Sequence, residues 1–411
     1  MSTLTKEQLE SWLETATWEN VTKKVADTGH VLLPAMIDTH VHFRVPGDEH
    51  KEDWQWGSQA ALNGGICGVI DMPNNNPPIL DLGVLDQKIE KVKKQKVKGF
   101  RSYFYLGVYG GREPDLRCVD KVVGLKLYFG SSTGNLLVNK KDQLEKIYKK
   151  WPKLISVHAE DENIIQANRK KYAELNEPIK HSLIRDAKAA ESAVKEILNF
   201  VRKYKKPTLF CHISTEGEIR LLKNAKNQGL PIYIEVAPHH LFLNEESYSD
   251  WGNFVKVNPP LRTKKDNKIL WEAIKDGTVD TIASDHAPHT PLEKSLDYKN
   301  TPAGLPGVGQ ILPLMLDAVN KRKLSLKRLI ELMHHNPREI FELRDIDGCG
   351  VVVDMNQENK IVKEGLDTKC GWSSYEGLTL KGWPEYTILD EKVVNVKRLN
   401  PDLNDSQTFY N

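Results

Sequence analysis

Apolar residues along this chain gather in short runs, each followed by a longer stretch in which apolar positions recur every three or four residues. The short runs are rich in β-branched and aromatic residues and cover 31–38, 66–72, 100–107, 122–126, 154–160, 208–212, 232–236 and 280–286. The longer stretches include 54–63, 85–98, 142–150, 183–204 and 216–227, and each predicts a helix with one apolar face. Strands alternating with helices read as βα units that build a parallel sheet. Eight such strands predict an α/β fold, a (β/α)8 barrel of TIM type over residues 31–342. Residues 1–30 predict a helical arm. There Thr5-Lys-Glu-Gln8 has the form of a capping box, and Leu9, Trp12 and Leu13 share a face. Past 343 the texture changes to short β-like pieces at 350–354, 378–381 and 392–396, which predict a small β-rich appendage over 343–411.

The ends of the apolar runs carry the chemistry. The first runs into His40 and His42, whose side chains share one side of a strand because strand side chains alternate. Two neutral imidazoles converging at a strand end suit a divalent metal. Other runs end in Lys126, in His158, in Cys211-His212 and in Asp285-His286, and another carries Glu235. In a (β/α)8 barrel all of these would gather at the carboxyl ends of the strands. His40 and His42 would then hold one metal with Asp285, and His158 and His212 a second. A cationic Lys126 beside two dications would be repelled. Held neutral, its amine can add carbon dioxide and become a carbamate whose two oxygens bridge the metals; snorkelling at the barrel rim is the alternative.

Two metals about 3.5–4 Å apart can activate a water and polarise a carbonyl. Asp285 can accept the water's proton and deliver it to a leaving nitrogen. The chemistry implied is reversible hydrolysis of an amide-like bond. No Gly-x-Ser-x-Gly elbow is present, and Cys211 suits a ligand or a buried thiol better than a nucleophile. Arg44, two positions after His42, offers a two-pronged grip on a carboxylate, or else a surface ion pair. Asn74 and His289 lie just beyond the second and last strands, as substrate contacts or as turn residues.

Composition narrows the setting. The 411 residues suffice for one large barrel and an appendage, and a net charge of +2 favours neither a nucleic-acid nor a membrane partner. The lysine-rich run at 91–98 reads as a solvated helix face. Five scattered cysteines form neither a zinc-finger spacing nor a disulfide framework, which suggests a reducing compartment. No run approaches the roughly 18 apolar residues of a membrane span, and a cytoplasmic protein is expected.

As a set, these motifs resemble those of class I dihydroorotases in the amidohydrolase superfamily. The resemblance rests on Asp38-Thr-His-Val-His-Phe-Arg-Val-Pro-Gly47, Asp71-Met-Pro-Asn74, Gly124-Leu-Lys-Leu-Tyr128, His158-Ala-Glu160, Cys211-His212, Glu235-Val-Ala-Pro-His-His240, Asn258-Pro-Pro-Leu-Arg262 and Ala283-Ser-Asp-His-Ala-Pro-His-Thr290. It covers 31 to about 342 and extends to bacterial members and to the dihydroorotase domain of the animal multifunctional pyrimidine enzyme. It implies two Zn2+ held by His40, His42, Lys126 as N6-carboxylysine, His158, His212 and Asp285, with Asp285 as general acid and base. It implies a carboxylate site at Arg44, Asn74 and His289, and a pocket wall at Asn258, Pro302 and Gly304. The implied reaction closes N-carbamoyl-L-aspartate to L-dihydroorotate, and reverses it, in pyrimidine synthesis. Cys211 and Glu235, with a histidine, match a further zinc site of some relatives; a buried thiol and a hydrogen-bonded carboxylate are the alternative. A homo-oligomer or an association with other pyrimidine enzymes is the expected assembly.

Three departures from the family pattern stand out. Gly309-Gln310 replaces a frequent glutamate, which predicts altered support of the last loop. Asn258 stands where animal relatives carry another polar group. Gly130-Ser-Ser-Thr-Gly134 is closer to bacterial members and suits a mobile lid or a static turn. The competing readings are a hydantoinase, dihydropyrimidinase or allantoinase, for which a buried Arg44 would lack an anionic partner, and a non-catalytic scaffold.

Overall fold

A computed structural model describes residues 30–130 and 136–394. Two sheets organise the chain. The larger has eight parallel strands in sequence order: β2 (Met36–Val41), β3 (Ile66–Asp71), β4 (Arg101–Gly107), β5 (Gly124–Phe129), β6 (Ile155–Ala159), β7 (Thr208–Phe210), β8 (Ile232–Val236) and β9 (Thr281–Ile282). It closes on itself where Val41 bridges His286 in parallel and the His42 amide donates to the His286 carbonyl at 2.8 Å. Buried Asp38 reinforces the seam by accepting from the Ser284 amide at 3.0 Å and from the Ser284 hydroxyl. The (β/α)8 barrel is therefore present. Among the described residues, no helix is long and apolar enough to cross a membrane.

The smaller sheet is antiparallel, in the order β1 (Val31–Pro34), β10 (Gly350–Lys360), β11 (Thr379–Leu389) and β12 (Lys392–Val394). It corrects the reading of 31–38 as one barrel strand. Val31–Pro34 pairs with Val353–Gly350 of β10, and only from Met36 does the chain enter the barrel. Both pieces are apolar, so hydropathy shows one run; Pro34, which lacks an N–H, sits at the break. The arm expected over 1–30 falls, but for its last residue, outside the described residues, as do 131–134 of the glycine-serine loop.

The helices pack their apolar faces on the barrel exterior, the face that carries fully buried Leu125, Leu127, Val157 and Phe210. Trp54–Asn63 and Glu216–Asn227 form as the pattern predicts; Asp53 caps the first, and Thr215 with Glu218 makes a capping box on the second. The helix expected over 183–204 is instead two, Lys180–Ile184 and Ala187–Tyr204. Asp186 caps the second by accepting from the Ala189 amide, and Arg185 falls in the break. Hydropathy runs through this break, but the N-cap geometry requires an extended residue there. Near the last loop, a Cβ on Gly64 would stand 2.7 Å from Gly309 Cα, so the backbones approach too closely there for side chains.

Candidate metal centre

The strand ends bring the predicted donors together. His40 Nε2 and His42 Nε2 lie 3.3 and 3.2 Å from Asp285 Oδ1. His158 Nδ1 is 3.1 Å from His212 Nε2, and the His40 and His212 ring centroids are 5.4 Å apart. Lys126 lines the same cavity, fully buried. That cavity is narrow, about 30 Å³; larger grooves of about 440 and 1030 Å³ lie elsewhere and hold no comparable donor set.

The remaining ring nitrogens of His40, His42 and His158 are held from behind, while His212 Nδ1 has no hydrogen-bond partner among the described residues. His40 Nδ1 meets Glu235 Oε1 at 2.8 Å, His42 Nδ1 meets Asn74 Oδ1 at 2.7 Å, and His158 Nε2 meets Glu160 Oε2 at 3.0 Å. Such outer partners fix ring orientation and leave the opposite nitrogen as the donor. Burial, the largest influence, lowers the pKa of His40, His42, His158 and His212, so the imidazoles are neutral as metal ligation needs. Burial pushes the Asp285 carboxyl up, but its contacts with His40 and His42 and the nearby Lys126 outweigh this and bring it to about 2. Neutral nitrogens converging on an ionised carboxylate fit a divalent metal.

A second group of donors shares His40. His40, Cys211 and Glu235 offer ligand atoms within 4.8 Å of one another. Lys126 Nζ donates to Cys211 Sγ at 3.1 Å, and burial raises the thiol to about 12. Glu235 also accepts from Thr39 Oγ1 at 3.1 Å and lies 3.3 Å from the His212 amide.

Arg44 is buried at the cavity, with Nε on the Pro288 carbonyl at 3.1 Å and a terminal nitrogen 3.2 Å from His289 Nε2. It reaches the cavity from beyond β2 through a left-handed backbone, φ 64°, and not by strand alternation. His289 sits fully buried behind it, 3.2 Å from the Ala303 carbonyl. Asn74, Asn258 and Gly304 line the cavity. Asn258 Oδ1 accepts from His181 Nε2 at 2.9 Å. Gly304 has φ 148°, and a Cβ there would fall 2.4 Å from the Ala287 carbonyl oxygen. Pro302 departs from expectation: Ala303 and Gly304 form the wall, while the Pro302 carbonyl turns back to accept from buried Lys294 Nζ at 3.1 Å.

Residues without a sequence-based role complete the site. Arg185 Nε donates to Glu160 Oε2 at 2.9 Å, backed by a second contact from its terminal nitrogen. Trp372 Nε1 donates to the His289 carbonyl at 2.7 Å. Glu160 does follow His158 by two positions, which places it on the same strand face; nothing local marks Arg185 or Trp372.

Residues 31–346 match the model of the amidohydrolase family. The chain is 38% identical over 374 residues to the dihydroorotase of Pyrococcus furiosus, covering 90% of this chain and 82% of that one. It is 34% identical over 370 residues to the multifunctional protein CAD of Squalus acanthias, covering 89% of this chain and 15% of the larger one. Among solved structures, the L-hydantoinase of Arthrobacter aurescens superposes with a TM-score of 0.82 at 25% identity, covering 89% of this chain and 85% of that one.

Proposed function

The chain belongs to the amidohydrolase family, and on that premise we propose that it is a dihydroorotase, closing N-carbamoyl-L-aspartate to L-dihydroorotate and opening it again. Relatives named for this activity match across most of the chain at 33–38% identity. The observation in the site that carries the reading is Arg44. A buried guanidinium beside the metal donors needs an anion, and dihydroorotate brings a carboxylate where hydantoin and dihydrouracil bring none.

His40, His42 and Asp285 would hold one zinc and His158 and His212 the other, with Lys126 as N6-carboxylysine between them. When bound, the ions polarise the ring amide and make water a nucleophile near neutral pH. Arg44, Asn74 and His289 grip the substrate carboxylate and turn the ring so that its amide carbon faces the water. Asp285 takes the proton the water loses as its oxygen adds to that carbon. It returns the proton to the ring nitrogen as the carbon–nitrogen bond breaks. In ring closure the same carboxylate takes the proton from the ureido nitrogen and gives it to the departing oxygen. His40, Cys211 and Glu235 are where a further zinc would sit; loss of one zinc equivalent in Cys211→Ser, with the others retained, would establish it. We place the reaction in the cytoplasm, with support from five unpaired, buried cysteines. The multifunctional relative supports association with other enzymes of pyrimidine synthesis.

Turnover of dihydroorotate, hydantoin, dihydrouracil and allantoin by the zinc-loaded protein tests this reading. Dihydroorotate alone should be opened, and Arg44→Ala should raise its KM at least about tenfold with zinc content unchanged. Hydrolysis of the neutral rings alone, or a wild-type KM in Arg44→Ala, would refute it.

A further inference from the structure

β5 carries Lys126 and Tyr128 two residues apart, so both side chains enter the barrel, with Tyr128 nearer its open end. Tyr128 lines the cavity with His42, Arg44 and Asp285. Its ring centroid stands 6.2 Å from that of His158 and 5.3 Å from Lys126 Nζ. Its hydroxyl is buried and has no hydrogen-bond partner among the described residues. Other buried tyrosines of the barrel differ. The Tyr105 hydroxyl accepts from Ser156 Oγ at 2.8 Å, and that of Tyr148 lies 3.3 Å from Thr208 Oγ1.

A buried polar group without a partner is costly, and tyrosine usually finds one. Phenylalanine would fill the same space without that cost. The hydroxyl therefore awaits a partner that arrives with a ligand. A phenol carries its proton at neutral pH, so it meets that partner as a donor. Arg44 and Asn74 are directed to the carboxylate of the proposed substrate, which leaves the ring oxygens for Tyr128.

We propose that Tyr128 is a further catalytic residue whose phenolic O–H donates to the oxygen of the scissile ring amide as negative charge develops there. The inference rests on the cyclic-amide reading above. As water adds to the carbonyl carbon, the π pair of the C=O bond moves onto that oxygen and its partial charge becomes a full one. The phenol keeps its proton and binds this oxygen more strongly than the starting carbonyl. When the carbon–nitrogen bond breaks, the oxygen pair re-forms C=O. The bond pair leaves on nitrogen, which takes the proton held by Asp285. A contact that strengthens only as charge forms acts on kcat.

Tyr128→Phe, compared with the zinc-loaded wild type, tests this. The assay uses whichever of dihydroorotate, hydantoin and dihydrouracil the wild type opens fastest, alongside zinc content and melting temperature. The kcat should fall about 100-fold, as for loss of one oxyanion donor, with KM and zinc unchanged and the melting temperature no lower than wild type. Four outcomes overturn the proposal: an unchanged kcat, a raised KM at unchanged kcat, loss of zinc with activity (which would make Tyr128 a partner of the Lys126 bridge), and a wild type inert on all three rings. If the wild type opens only a neutral ring and the kcat loss persists, Tyr128 keeps its role while the dihydroorotase reading falls.

Discussion

Lys126 has a conflict at the scale of a single residue. It is fully buried beside the imidazoles, and among the described residues its Nζ hydrogen-bonds to a thiol that burial holds protonated. The bridging carbamate proposed above would resolve the conflict. Lys126→Ala should therefore lose zinc and turnover together, and added acetate or propionate should restore part of both by supplying a carboxylate in the gap. Zinc per chain and kcat, each with and without the added acid, check this; a variant that keeps its full zinc has no bridge at Lys126. The candidate metal donors were legible because each closes an apolar run. Their backbone was not. Arg44, His212 and Asp285 all have positive φ, at 64°, 36° and 48°, a region non-glycine residues enter at a cost of about 1–3 kcal/mol. Each follows the last ladder residue of its strand, so the strain turns the chain where a side chain must point into the cavity. No residue type signals this, since glycine, the usual marker, cannot supply a ligand.

Single elements repeat the lesson with helix and strand ends. The break at Arg185 is invisible to hydropathy, yet it aims the guanidinium at Glu160, whose other neighbour is His158. Burial disfavours the Glu160 carboxylate, but the Arg185 guanidinium and the hydrogen bond to His158 outweigh it and hold the carboxyl well below its usual range. An ionised pair this deep is tolerated only intact. Arg185→Met should destabilise the fold by about 3–5 kcal/mol. It should also weaken zinc at the His158–His212 position by roughly 10–100-fold, because Glu160, which orients His158, loses its own anchor. Denaturant unfolding of the metal-free protein and zinc titration separate the two effects; unaltered zinc affinity would confine the pair to holding the fold. The first apolar run failed in the opposite way. One stretch of hydropathy contains two strands of different sheets, and only the pairing partners, Gly350–Val353 for one and β3 for the other, tell them apart.

Across the whole molecule, the part that looked peripheral in sequence reaches the centre. Between β10 and β11 the chain leaves the small sheet, and Cys370, Trp372 and Tyr375 pack with Val257, Leu261 and Leu305 beside the cavity. Thr368 Oγ1 donates to buried Glu52 Oε2 at 2.7 Å, Lys369 Nζ pairs with Asp53 at 2.7 Å, and Trp372 Nε1 holds the His289 carbonyl. Glu52 lies 3.5 Å from His286 Nε2, whose Nδ1 in turn accepts from the Gly307 amide at 3.0 Å. The segment thus grips the loop that follows Asp285 from two sides. These links join positions far apart in the chain, which is why periodicity and motif spacing, both local, do not show them. If His289 helps to hold the substrate carboxylate, a slackened grip should appear in binding before it appears in chemistry. Trp372→Phe keeps an aromatic ring on the same stem but removes the N–H with the five-membered part of the indole; the lost hydrogen bond alone is worth about 0.5–1.5 kcal/mol. KM for dihydroorotate should rise about three- to tenfold, with kcat and zinc content near wild type and a lowered melting temperature from the smaller ring in the buried cluster. A uniform fall in kcat and stability would instead mean that the appendage only braces the barrel. An unchanged KM would mean that His289 is held well enough by Arg44 and the Ala303 carbonyl alone.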